Sequence, residues 1–333
     1  MAMSDHIRTF RQAAWLGWQI ESNWTRPWLF LVYSVVRPIA ATLILVIMFL
    51  IIKQDVASDP LLFSYMYLGA AFYMFVAQVL FGTASVIHED REHYQTLRHI
   101  YIAPISIYAY IIGRATSKVI LTTLSVIITL AFGMGVLGLP LDLLRVDWPL
   151  FALTMVLGLA CITALGITLA GASLLIAKHS IGINEGIAGT FYLFCGVVFP
   201  LTALPAWGQA IGLAIPITYW LEGIRRTLYP GGGIEIIGGL QAYSDLSIMS
   251  LLILSTSVFL LLSIAIFRYA DRVARKKGKV DMITTYSRYA SWPQRHRSGG
   301  CPQAKQCGPA DSARTPSART GAHGGGGDFS FNI

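Results

Sequence analysis

The sequence predicts an all-α membrane protein. It has six transmembrane helices, an amphipathic interfacial helix ahead of them, a short cytoplasmic helix between the second and third, and an outer re-entrant hairpin. Three observations predict this. Hydrophobic residues make up 55% of the 333 and charged residues only 13%, with a mean hydropathy of +0.59, whereas a soluble domain carries about 25% charged residues. Six apolar stretches, at approximately 28–52, 62–86, 107–137, 149–176, 185–204 and 246–268, reach the roughly 20 residues a helix needs to cross hydrocarbon. Lysine and arginine fall unevenly about those stretches.

That unevenness sets the orientation, because basic residues concentrate in cytoplasmic segments. With the N-terminus inside, the cytoplasmic side holds Arg8, Arg11, Arg26, Arg91, Arg98, Arg114, Lys118, Lys178, Arg268, Arg272, Arg275, Lys276, Lys277 and Lys279. The outer side holds only Lys53, Arg145, Arg225 and Arg226, with Arg37 and the far tail left aside. Both termini are therefore expected in the cytoplasm. The bias also accounts for the net charge of +8, so no nucleic-acid partner is expected.

The expected domains are 1–27, an interfacial helix; 28–270, the transmembrane domain; and 271–333, a basic tail. The opening MAMSDHIRTFRQ is polar and amphipathic rather than a basic stretch before a brief apolar core, so no cleaved signal is expected. From Asp5 to Trp24, Ile7, Phe10, Ala14 and Trp18 form an apolar row, with Arg8, Arg11, Gln12 and Gln19 mostly on other faces. Trp15, Trp18, Trp24 and Trp28 would anchor this helix at a membrane surface. The third apolar stretch exceeds one crossing, and Pro200 and Pro205 interrupt the end of the fifth.

Residues 205–229 are split by Gly212 and Pro216 into halves too short to cross. A seventh span there would put the basic cluster at 272–279 outside, against the charge bias. A helix-break-helix hairpin in the outer leaflet fits better, and it must pack on the bundle because exposed broken backbone is not tolerated in lipid. Residues 287–333, rich in Gly, Pro, Ser, Ala and Arg, have no apolar periodicity and are expected to be disordered. Cys161 and Cys195 lie in apolar runs as buried thiols, and the spacing of Cys301 and Cys307 is not that of a zinc site.

Several motifs resemble chemistry that their context denies. HEDREH, 88–93, has its histidines five apart, not at the i and i+4 of a helical zinc site. GMGVLG, 133–138, runs into Leu139-Pro140 and reads as a helix end, not as a dinucleotide turn between strand and helix. GINEG, 182–186, reads as small-residue helix packing. No P-loop pattern occurs, so this chain is not expected to bind ATP by that route. The alternative readings are an ion-driven secondary transporter, which calls for mid-membrane ionisable groups and an internal repeat, and an intramembrane enzyme. Apart from Arg37 the central spans offer few such groups, and they show no repeat and no clustered acid and histidine set.

The loop after the second span holds Glu89, Asp90, Arg91 and Glu92, followed by YQTLRHIYIAP. A short helix over 93–102 places Leu97, Ile100 and Tyr101 on one side, turns Arg98 and Ile102 away, and stops before Pro104. Such a helix serves either as an interfacial anchor or as a handle for a soluble partner. Glu92, Thr96, Leu97, Pro104, Gly113 and Arg114 resemble the segment that precedes span three in membrane subunits of ATP-binding-cassette exporters of the second export class. Gln95 stands where that family often has glycine. A second similar segment, FPLTALPAWGQAIGLAIPITYWLEGIRR, carries Pro200, Pro205, Pro216, Tyr219, Glu222 and Arg225 in the family's order for its outer hairpin.

The resemblance covers about residues 5–280. It implies a permease of a plasma (inner) membrane whose ATP and Mg are bound by two separate ATPase subunits, and which pairs with a second permease copy amid membrane lipid. It makes Glu89, Arg91, Glu92, Thr96, Leu97, Ile100, Tyr101 and Pro104 contacts of the ATPase, through a coupling helix, and places the hairpin residues at the exit. No catalytic residue, metal or cofactor of its own is implied. Glu222 and Arg225, three apart, are expected to pair, and Arg114 and Lys118 to reach the headgroups. Tyr65, Tyr67, Phe72, Tyr73, Phe75, Phe191, Tyr192 and Phe194 either line a path or face neighbouring helices.

Overall fold

The computed structural model describes residues 3–22, 27–53, 59–94, 96–103, 105–176, 180–230, 237, 239–240 and 243–276, all in one compact unit, Met1–Ser287. Among these residues every regular element is helical. The expected disorder of 287–333, the tryptophan Trp24, and the residues Pro104, Gln95 and Lys178 lie outside the described residues.

Helix α1 is Met3–Ser22 and α2 is Pro27–Lys53. Helix α3, Pro60–Phe75, passes through a π-helical turn, Val76–Leu80, into α4, Phe81–His88, and ends in a second π-turn, Glu89–His93. Then come α5, Leu97–Ile102; α6, Ile107–Val136; α7, Trp148–Leu175; and α8, Ser180–Phe194. Last are α9, Ala206–Ala214; α10, Pro216–Leu228; and α11, Asp245–Lys276.

Local chemistry sets the boundaries. Asp59 and Asp147 accept the backbone N–H groups of Leu62 and Leu150, each at 3.3 Å, with proline in the first turn that follows. Helix α6 closes at the GMGVLG run. Gly138 takes the left-handed φ of +67° just past the last turn, and Leu139 N–H returns to the Gly133 carbonyl at 3.0 Å, closing the helix end.

Among the described residues five helical stretches are long and apolar enough to cross a membrane: Ser34–Lys53, Pro60–Glu92, Ile107–Val136, Trp148–Leu175 and Asp245–Lys276. The expected fifth span differs. Helix α8 has only 15 residues, about 22 Å of rise, against a hydrocarbon core of about 30 Å. Past Phe194 the chain is irregular through Pro200, with Gly196 at φ +66°.

The bundle has two distinct ends. At one, Tyr65 near the start of α3, Asp147 at the start of α7 and Asp245 at the start of α11 all contact α10. At the other, α5 meets the end of α11, and α1 packs along α6. A large aromatic core including Phe63, Phe72, Phe75 and Trp220 lies toward the α10 end. A smaller one, joining Ile87, Leu97, Tyr110, Leu174 and Phe267, gathers α4 through α7 and α11 at the α5 end.

Helix α1 has three sides. Thr9, Ala13 and Gly17 are buried. Of the apolar row, Ile7, 64% exposed, and Phe10 are uncovered, whereas Ala14 and Trp18 are half-buried. Arg8, Arg11, Gln12 and Gln19 are exposed. Small residues thus dock the helix, while Ile7 and Phe10 are left for another surface.

Candidate functional site

The α5 end is organised by the π-turn Glu89–His93. It brings the carboxylates of Glu89 and Asp90 onto α6. Arg114 Nη2 donates to Glu89 Oε2 at 3.1 Å, and its Nη1 donates to Asp90 Oδ1 at 3.4 Å and to the Tyr110 hydroxyl at 3.2 Å. Tyr110 donates in turn to Asp90 Oδ2 at 2.9 Å. Arg91, also buried, donates from Nη1 to the Ser173 carbonyl on α7 at 3.3 Å and pairs with Glu92. Lys118 pairs with Glu21 of α1, and Ser117 donates to the Ala14 carbonyl.

These contacts correct the expectation for Arg114 and Lys118. Neither reaches outward; Arg114 is 1% exposed and Lys118 9%. The reason is local: four carboxylates, on α1 and on the turn after α4, sit close enough to satisfy basic groups that would otherwise have to leave the bundle. Glu89, Arg91 and Glu92 therefore tie helices together within this chain.

Helix α5 is shorter than expected, because His93 belongs to the preceding π-turn and the helix starts at Leu97. Its sides fall as the pattern required at Leu97, Ile100, Tyr101 and Ile102, the Arg98 side chain lying outside the described residues. Leu97 is buried, Ile100 and Tyr101 are half-buried against the smaller core, and Thr96 and Ile102 are exposed, Ile102 at 75%. Tyr101 donates to Asp271 Oδ1 on α11 at 2.9 Å. Arg275, paired with Asp271 at 3.1 Å, lies 4.7 Å over the Tyr101 ring. Burial, and then the Asp271 charge, push the Tyr101 phenol above its ordinary pKa, so it stays a donor at neutral pH. The segment is thus fastened at both ends: by backbone bonds from Tyr94 and Thr96 to the Glu89 and Asp90 carbonyls, and by Tyr101 to α11.

At the opposite end, α9 and α10 form two short helices broken at Pro216, with α10 buried along nearly its whole length. Thr218 and Tyr219 hydroxyls each return to α9, to the Gly212 and Leu213 carbonyls at 2.7 Å. Arg225 does not take the role expected of it. Its Nη2 donates to the Gly196 and Val197 carbonyls at 2.8 and 3.2 Å, and its guanidinium lies 3.6 Å from the Tyr65 ring centroid. Tyr65 also donates to the Gly196 carbonyl, at 3.1 Å.

The ion pair of Glu222 is with Arg226, one residue further on, at 3.2 Å. The i+4 position stacks directly above on a helix, while Arg225 is turned toward the irregular chain after α8. Arg226 extends to Asp245 Oδ1 and to the Tyr243 and Leu240 carbonyls, each at 2.9 Å. Gly69 makes room for this arrangement: a Cβ there would stand 2.1 Å from the Val197 carbonyl oxygen and 2.2 Å from Arg225 Nη2. Pro200 is half-buried, Pro205 exposed and Pro216 buried.

Sequence reasoning missed Asp90, Tyr110 and Arg226 as hub residues. The Glu222/Arg226 spacing was a readable signal; the Asp90–Tyr110–Arg114 cluster joins residues up to 24 apart on separate helices and left none. The aromatic set is divided. Tyr65, Tyr67, Phe72, Tyr73 and Phe75 are buried among neighbours, whereas Tyr192 is 37% exposed.

Long apolar helices linked by buried charges at both ends define an integral, multi-pass membrane protein. The chain belongs to the ABC-2 type transporter family, whose membrane domain matches residues 11–229. It is accordingly the permease component of an ATP-binding-cassette exporter, a family that generally works with ATP-binding-cassette ATPases. No curated protein matches the chain.

Proposed function

We infer that this permease forms the translocation path together with a second permease copy, and that separate ATPase subunits drive it through α5. Two ATPases dock beneath the pair, carry the ATP and Mg, and draw together on nucleotide binding. Both termini, α1 and α5 lie on the cytoplasmic side of the plasma (inner) membrane, and the α9–α10 hairpin lies at the outer exit. The chain crosses six times, α8 completing the fifth passage through 195–200. The tail from 271 is cytoplasmic.

The observation that carries this reading is the mounting of α5. Its inner side is fixed to two neighbouring elements, by Leu97 in the core and Tyr101 on Asp271, while Thr96 and Ile102 are left outward. A push on the outer side is therefore delivered to α11 and, through the Glu89–Glu92 turn, to α6 and α7. Basic residues concentrated at the same end fit a cytoplasmic placement. Thr96, Ile102 and the segment to Pro104 form the contact itself. Glu89, Arg91 and Glu92 transmit the motion behind it.

The test is Ile102→Glu in the full chain. Ile102 is exposed, so membrane insertion and thermal stability should match the unaltered chain, while co-purification with the cognate ATPase and transport-linked ATP turnover fall. Retention of both with this substitution would exclude α5 as the coupling element.

A further inference from the structure

Arg37 stands apart from the other charges of the bundle. It is exposed, ten residues into α2, and forms no ion pair or hydrogen bond among the described residues. On α8, Glu185 is exposed and equally unpaired. Lipid supplies no counterpart for a charge at such depth, so ionisable groups within spans face protein or water.

The levels of the two charges can be compared through the second span, which packs against both helices. Phe49 of α2 lies edge-on to Phe63 of α3 at 5.3 Å. Stepping twelve residues back to Arg37, and as many forward from Phe63, reaches Phe75. Tyr65 and Tyr73 donate to the carbonyls of Gly196 and Ala188, at 3.1 and 2.7 Å, so α3 and α8 run antiparallel. Stepping three back from Ala188 to Glu185, and three forward from Tyr73, reaches Val76. At about 1.5 Å per residue, Arg37 and Glu185 lie at nearly one depth, the middle of the Pro60–Glu92 helix.

We propose that two copies of this chain pair about a two-fold axis along the membrane normal, α2 of each against α8 of the other, so that Arg37 of one copy and Glu185 of the other form an ion pair, twice. The proposal rests on the reading of the chain as a paired permease. A two-fold along the normal preserves depth, and so a charge can meet only groups at its own level. Arg37 and Glu185 meet that condition with opposite signs.

The surrounding surfaces suit close helix contact. On α2 the outward row is Arg37, Ala40, Ile44, Ile47 and Ile51, at steps of three and four residues, opposite the buried row of Pro38, Thr42, Val46 and Phe49. On α8 the backbone around Glu185 is open: a Cβ at Gly182, Gly186 or Gly189 would meet nothing within 4 Å, and small residues let membrane helices approach closely.

The test uses the full chain with Cys161→Ala, Cys195→Ala, Cys301→Ser and Cys307→Ser. Arg37→Cys with Glu185→Cys should crosslink two copies in native membranes. Ile51→Cys with Glu185→Cys, displaced along the same row, should not. Separately, Arg37→Glu and Glu185→Arg should each weaken the dimer, on the order of threefold to tenfold in its dissociation constant, and the double reversal should restore it. Where a reversal impairs insertion, Arg37→Gln and Glu185→Gln give the same comparison. A stable dimer that neither crosslinks at 37 and 185 nor responds to the reversals overturns the α2–α8 pairing and leaves the paired permease standing. A chain that stays monomeric in bilayers beside its ATPase overturns both.

Discussion

Arg114 of α6 is paired with Asp90, 3.4 Å away in the turn after α4, and the two side chains are 1% and 2% exposed. Tyr110 bonds to both, so three polar groups neutralise one another inside the bundle. Removing one member of a buried pair strands the other, at a cost of about 3–5 kcal/mol, whereas replacing both with apolar groups of similar volume is far milder. Arg114→Ala should therefore lower the thermal unfolding midpoint in nanodiscs sharply. Arg114→Met with Asp90→Leu and Tyr110→Phe, which removes the buried hydroxyl as well, should recover most of the loss. A triple variant no more stable than Arg114→Ala would show that the loss does not come from stranded buried polar groups.

Tyr101 of α5 donates to Asp271 of α11 across 170 residues of sequence. Tyr101→Phe keeps the ring under Arg275 and removes the donor, for a loss of about 1–2 kcal/mol. In a complex with the ATPase we expect that ATP turnover persists while transport falls, since α5 stays docked but slips on α11. The phenol is the protonated, bonded form, and its pKa is raised above the ordinary 10.0. The stability it contributes is thus complete below that ordinary value and is lost as pH rises through the raised one. The stability difference between the unaltered chain and the Tyr101→Phe variant should be flat from about pH 6 to pH 9, as measured by thermal unfolding.

The helices were legible because hydrophobicity along a chain is a local quantity. Pro60, Pro216, Asp59 and the Gly138 ending mark boundaries that depend on nearby residues alone. The face of α5 was legible for the same reason: Leu97, Ile100 and Tyr101 share a side at helical spacing. What escaped was set by contacts between helices. Whether Arg114 points to headgroups or to Asp90 depends on how α4 ends against α6, and a π-turn leaves no mark in the sequence. The pairing of Glu222 was misassigned because Arg225 and Arg226 differ only in which neighbour each meets. Helix α8 was overextended because the irregular chain after Phe194 is as apolar as a helix.

Arg225 binds the chain after α8 to the hairpin through two carbonyls and the face of Tyr65. Lysine carries the same charge but lacks the planar guanidinium whose face stacks on the Tyr65 ring while its Nη2 serves both oxygens. Cys195, 1% exposed and next to Gly196, provides the readout. In a background of Cys161→Ala, Cys301→Ser and Cys307→Ser, Arg225→Lys should raise the rate of maleimide labelling at Cys195, roughly tenfold for each 1.4 kcal/mol of local stability lost. Gly69→Ala should act in the same direction, because its Cβ cannot coexist with the Val197 carbonyl as placed. Unchanged labelling in both variants would remove Arg225 as the fastener of this segment.

Helix α1 divides its surface among three neighbours, and that division can be tested residue by residue. Thr9, Ala13 and Gly17 are buried, and the contact with α6 is fixed by Ser117 on the Ala14 carbonyl and by Lys118 on Glu21. The apolar row is uncovered at Ile7 and Phe10, and Gln12 lies on the polar side, about 140° around the helix from Ile7. A helix of this kind lies in the interfacial plane with its apolar side in the acyl boundary. Spin labels at Ile7→Cys and Gln12→Cys, placed one at a time in a chain whose four native cysteines are replaced, should separate cleanly. The label at position 7 should relax with oxygen, which partitions into lipid, and the label at position 12 with a water-soluble nickel chelate. Equal exposure of both to the chelate would mean that α1 is held by α6 alone and does not rest on the membrane.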